Sequence, residues 1–101
     1  MAEALGAIEQ IQHTIKAGHF KEALKMANSV EEENSSKPEL FYMKAVCYRY
    51  LGEPRLALGA LERLKALSPE NGRAYQEEGH IYRSIGKTQE AITAFERATQ
   101  Y

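Results

Sequence analysis

Histidine, cysteine and glutamate are the side chains through which this chain could do chemistry, and their spacing withholds the usual constellations. None of His13, His19 and His80 has a cysteine, an aspartate or a second histidine three or four residues away to complete a metal-binding helix face. All fourteen acids are glutamates, which removes Ser-His-Asp triads, aspartate-based EF-hand loops and aspartyl dyads together. Cys47 is the single cysteine, so neither an internal disulfide nor a multi-cysteine metal site can form. Set between Val46 and Tyr48, with Arg49 as its one cationic neighbour, it reads as a small, partly buried helix residue rather than a nucleophile. The seven glycines form no run ending in Lys-Ser or Lys-Thr that could cradle a phosphate. No catalytic residue, cofactor or metal is therefore expected.

Charge and length narrow the remaining classes. Thirteen Lys and Arg face fourteen Glu, evenly distributed, so no basic excess exists to hold a nucleic-acid backbone. The one charge run, Glu31-Glu32-Glu33, would oppose the macrodipole at a helix C-terminus and is expected to form a solvated loop entry. With 101 residues and 44% hydrophobic composition, the chain reads as one small globular domain. A chain of this size buries roughly 60 to 65% of its extended surface, which leaves no room for a large enclosed active site. No apolar run approaches the roughly 18 residues of a membrane-spanning helix, so no membrane partner is expected. Glu3 and Glu9 stand where a signal peptide would carry bases and then an apolar core, which makes the cytoplasm the expected location.

What must position any surface site is a repeat. Gly18, Gly52 and Gly86 recur at one constant interval, and Ala23, Ala57 and Ala91 recur at the same interval. Glu22 and Glu90 share one position in the first and third units. The apolar spacing predicts six helices over about 4–17, 20–32, 38–51, 54–67, 72–85 and 88–101. Each glycine falls just past the first helix of a pair, where a left-handed cap residue is wanted. Pro54 opens a second helix, and Ser68-Pro69-Glu70-Asn71-Gly72 and Asn34-Ser35-Ser36-Lys37-Pro38 break the chain between units. The fold class is thus all-α, three tandem helix-turn-helix hairpins over about 4–37, 38–71 and 72–101 within a single domain, 1–101.

The second and third units place Phe41 with Tyr75, Ala45 with Gly79, Tyr48 with Tyr82, Ala57 with Ala91, Leu61 with Phe95 and Leu64 with Ala98. This pattern resembles the tetratricopeptide repeat. The resemblance implies a right-handed solenoid in which Ala45, Gly79, Ala57 and Ala91 let paired helices approach while the large residues fill the space beside them. It assigns Tyr48, Tyr75 and Tyr82 to the core and Tyr42 and Tyr50 to open faces. The first unit departs from it at Ala7, Gln10, Ile11 and Thr14, and the stripe Leu5, Ile8, Ile11, Ile15 is rotated toward the groove side, implying a shifted first helix.

The same frame implies a concave groove lined by Tyr42, Val46, Arg49, Arg73, Gln76, His80 and Arg83, bordered by Glu39, Met43 and Glu77. Such a surface suits an extended protein or peptide segment carrying a carboxylate. The clamp with which some relatives hold chaperone tails is not present, since Ile8, Gln12, Met43, Arg73 and Glu77 occupy its positions and only Arg73 is compatible. Residues 72–86 are also similar to repeats that precede the catalytic domain in bacterial tetratricopeptide-containing sulfotransferases. Two functions follow as expectations: a non-catalytic protein-interaction module, or a structural or oligomerisation arm of a larger bacterial enzyme. With no polar capping helix after Tyr101, the chain is expected to be a fragment. A flank containing Ile81, Ile85, Ile92 and Tyr101 would then be uncovered and available for a homodimer.

Overall fold

A computed structural model describes residues 6–101 as six helices: α1 (Ala7–Lys16), α2 (Phe20–Ser29), α3 (Pro38–Tyr50), α4 (Pro54–Leu67), α5 (Gly72–Ser84) and α6 (Thr88–Ala98). Among the described residues there is no strand. The expected helix start at residue 4, and Leu5 of the apolar stripe, lie outside the described residues. Helix α2 ends at Ser29, short of the end its periodicity suggested, and Glu31, Glu32 and Glu33 lie in turns, as their opposition to the macrodipole requires.

The three intra-hairpin turns are copies of one device. Gly18, Gly52 and Gly86 have φ of 84°, 77° and 80°. The following residue of each turn, His19, Glu53 or Lys87, donates its N–H back to Thr14, Tyr48 or Tyr82 at 3.1, 2.8 and 2.9 Å, while each glycine N–H reaches Ile15, Arg49 or Arg83. That pair of bonds is the Schellman closure, and only a residue without Cβ adopts its left-handed position without strain. Pro38 opens α3 between the first two hairpins and Pro54 opens α4 within the second, each at the helix's first turn, and between the second and third hairpins Asn71 caps α5 by accepting from the N–H groups of Arg73 and Ala74.

Helix α3 touches α1, α2, α4 and α5, and its burial follows: Leu40, Phe41, Met43, Ala45 and Cys47 are all buried although they do not form one stripe. Helices α5 and α6 cross at Gly79, where a Cβ would stand 2.6 Å from the Phe95 ring. The first hairpin resolves its departure from the repeat by burying Ile11 and packing Ile8 and Ile15 against the common core. Cys47 is wholly rather than partly buried, and burial pushes its thiol up to about 11, which leaves it inert. Ile81 is 0% exposed and corrects the expected uncovered flank; Ile85, Ile92 and Tyr101 do remain exposed. Of the three tyrosines expected in the core, Tyr75 is buried, with its hydroxyl donating to the Pro69 carbonyl, whereas Tyr48 and Tyr82 are half-buried.

Three ion pairs join successive hairpins among the described residues: Glu31 with Lys44, Arg49 with Glu77, and Lys65 with Glu78 at 2.7 Å. Glu31 and Lys65 occupy equivalent positions of successive repeats, as do Lys44 and Glu78, so one junction position is used twice with its signs exchanged. Stacking the first hairpin directly on the third would set Glu31 against Glu78, a like-charge contact that disfavours the wrong order.

Candidate functional site

The first helices of the hairpins pack on one another, α1 with α3 and α3 with α5, while α2 and α4, and α4 and α6, stand apart. A stack joined along one edge and open along the other curves, and α1, α3 and α5 form its inner face.

A cleft of about 210 Å³ opens on that face where the three helices converge. Ile15 of α1 and Tyr42, Met43 and Val46 of α3 give it apolar walls, and Lys16 and Arg73 stand on opposite sides. The Arg73 guanidinium lies 4.1 Å from the centre of the Tyr42 ring, which fixes the cation at the rim. Neither Lys16 nor Arg73 has a carboxylate partner among the described residues, although Glu39 shares the lining. An apolar floor between two unneutralised cations accepts an apolar group next to an anion.

Arg49, expected in the groove, is already engaged. Its Nε and one terminal nitrogen donate to the two carboxylate oxygens of Glu77, and the guanidinium stacks 4.5 Å from the Tyr50 ring centre. Burial disfavours its charge, but the hydrogen bond and negative charge of Glu77 outweigh that and hold its pKa above the ordinary arginine value. Glu77, expected at the groove border, is instead 3% exposed. Tyr50 lies on an open face, as expected, and stacks on Phe20 of the first hairpin with ring centres 4.4 Å apart.

Gln76, His80 and Arg83 line α5 on the same face beyond this pair. Burial, and then the cation of Arg49, lower the His80 pKa below the ordinary range, with Arg83 adding to the effect and Glu77 opposing it. Its Nδ1 accepts from Arg83 at 3.0 Å, and its ring meets the Phe95 ring edge-on. His80 is therefore a neutral acceptor near pH 7 and not a cationic contact.

Of the seven groove candidates, the cleft gathers Tyr42, Val46 and Arg73, and its α1 wall of Ile15 and Lys16 was missing from that set. The signal for it was the rotated apolar stripe. No group of three or more potential metal ligands exists among the described residues, and none of the described helices is long and apolar enough to cross a membrane.

Stacked antiparallel hairpins with first helices on a concave inner face define a helical-repeat solenoid. The tetratricopeptide repeat family profile matches residues 42–101, and the chain belongs to that family, whose members generally serve as protein-interaction scaffolds without enzymatic activity. The small glutamine-rich tetratricopeptide repeat-containing protein 2 of Mycosarcoma maydis is 24% identical over 97% of this chain, which spans only 29% of that relative's length. Among solved structures, the first TPR domain of human RPAP3 is 22% identical with a TM-score of 0.87, over 93% of this chain and 74% of that one. The Yersinia enterocolitica type III secretion translocator chaperone SycD, described as an alternative dimer, is 15% identical with a TM-score of 0.87, over 93% and 71%. MamA superposes with a TM-score of 0.84 at 19% identity, over 93% of this chain and 54% of that structure. At these identities the structural likeness establishes the fold.

Proposed function

We propose that this chain is a non-catalytic interaction module that binds a protein or peptide segment on its concave face, with the cleft between α1, α3 and α5 as the anchoring point. The observation that carries this reading is the pairing of Lys16 and Arg73, without carboxylate partners among the described residues, across the apolar walls of Ile15, Tyr42, Met43 and Val46. A segment with an apolar side chain beside a carboxylate satisfies both features.

The test begins with a partner recovered by pull-down and its binding segment made as a peptide. Arg73→Ala and Lys16→Ala should each weaken binding roughly five- to tenfold, about 1 to 1.4 kcal/mol, because a charge-assisted contact is lost. Their effect on the melting temperature should be slight, as for other exposed substitutions. An affinity that ignores both substitutions moves the site off this cleft. Arg49→Ala is unsuitable for the purpose, since it breaks the bond to Glu77.

Self-association is a second proposal, favoured by the exposure of Ile85, Ile92 and Tyr101 at 41, 44 and 55%. Tyr101 partly covers itself by leaning on the Tyr75 ring at 5.6 Å. Sedimentation equilibrium decides: a species of single-chain mass throughout the micromolar to sub-millimolar range ends the dimer, and a dimer abolished by Ile92→Glu locates it. The arm of a sulfotransferase or other enzyme remains the alternative role, and the cytoplasm the proposed location; finding a sulfonate-donor loop in the same polypeptide would favour that arm.

A further inference from the structure

The convex side carries a feature that the repeat does not explain. Between α3 and α4, beside the turn that follows α2, lies a cleft of about 220 Å³ above the middle of α4, and the one carboxylate in its lining, Glu31, is already held by Lys44. At its centre is Gly59. Glycine inside a helix lowers stability relative to alanine. Here nothing in the fold requires it: a Cβ on Gly59 would meet no atom within 4 Å, and its φ is not positive. The other glycines that shape this molecule answer to a turn or a helix crossing, whereas Gly59 keeps a stretch of helix backbone bare toward solvent.

Its neighbours on the helix are equally unusual. Leu56, one turn before it, is 52% exposed. Arg55 and Arg63 flank it one turn away on either side, one helix face with its cations about 12 Å apart along the axis. Neither has a carboxylate partner among the described residues, and Arg63 lies over the Phe41 ring, 4.7 Å from its centre, which holds its charge at the edge of the cleft.

The repeat itself supplies the comparison. At the position of Leu56 the first and third hairpins carry Glu22 and Glu90; at that of Gly59 they carry Lys25 and Thr93; at that of Arg55, Lys21 and Gln89. A convex helix of this fold is thus ordinarily polar at these points. Only the second hairpin replaces an acid by an exposed leucine and a full side chain by none.

We infer that this convex face of α4 is a docking site for an acidic segment of a partner protein, one whose apolar side chain rests on Leu56 and the bare backbone at Gly59 while carboxylates to either side meet Arg55 and Arg63. Charge complementarity selects the acid, and the missing Cβ sets how closely the segment's backbone can approach. The site is separate from the concave cleft and does not depend on it.

The test uses the whole chain, isotope-labelled, and a synthetic peptide with a leucine pair between glutamate pairs. Amide shifts in a nitrogen–proton correlation spectrum should move saturably over residues 55–63 and around Phe41. The same peptide with glutamine in place of glutamate, or with its leucines changed to serine, should lose roughly tenfold or more in affinity. In the protein, Leu56→Glu should cause a similar loss. Gly59→Leu gives the most informative readout: it should raise the melting temperature by improving helix propensity and yet weaken the peptide roughly tenfold or more by filling the site. Three results each overturn the inference: no saturable shifts at millimolar peptide, shifts centred on Tyr42 and Arg73, or undiminished binding to Gly59→Leu.

Discussion

Gly79→Leu should be the most damaging single substitution in the last hairpin. A Cβ at this position would stand 2.6 Å from Phe95 Cε1 and 2.7 Å from its neighbours in the ring, closer than side chains are ever found. Leucine adds three further carbons in the same direction, so the ring must leave its seat or the helices must separate. Overpacking of this kind costs roughly 3 kcal/mol, the upper end of the usual range, and for a domain of this size lowers the melting temperature by more than about 10 °C. The preceding hairpin shows how the clash is resolved. There the same two positions hold Ala45 and Leu61, a slightly larger residue facing a slimmer one, and both are 0% exposed. Gly79→Ala alone should therefore be harmful, and Gly79→Ala combined with Phe95→Leu should recover most of the parental stability. A melting curve of Gly79→Leu that overlays the parent's would mean that α5 and α6 do not cross at this residue.

That contrast shows why most of the fold could be read from the sequence. The information was written more than once: three glycines and three alanines at a constant spacing marked the turns and the close approaches, and the structure places left-handed turns and buried alanines there. A repeat also fixes which face of each helix looks inward, so Tyr42, Val46 and Arg73 were assigned to the concave side, where the cleft gathers them. Junctions between hairpins carry no such redundancy. Each pairs a residue of one hairpin with a residue of the next, and nothing in the spacing of like residues reveals whether a pair is apolar, ionic or reversed in sign. Arg49 was for that reason read as a groove residue and Glu77 as a border residue, although each answers the other. The wall formed by Ile15 and Lys16 escaped because the first unit lacks the repeat's signature residues, and Ile81 escaped because its helix presents one side to the hairpin before it.

The Arg49 and Glu77 pair yields the second large effect, and its sign depends on how it is broken. Arg49→Ile leaves the Glu77 carboxylate, 3% exposed, without its two hydrogen bonds and its counter-charge. A buried group stranded in this way costs about 2 to 3 kcal/mol, less than in a deep core because the Arg49 side chain itself is 22% exposed. The first junction again holds the alternative solution. In place of Arg49 and Glu77 it has Ile15 and Met43, which occupy the equivalent positions one repeat earlier and line the same cleft. Arg49→Ile combined with Glu77→Met copies that junction into the next one and removes both charges, and an apolar pair of fitting shape often equals or exceeds a buried ion pair. The double variant should return to within about 1 kcal/mol of the parent, well above either single substitution, as measured by urea unfolding at pH 7. Additive losses in the double variant would show that the junction needs the charge pair itself, to hold the hairpins in order as much as to hold them together.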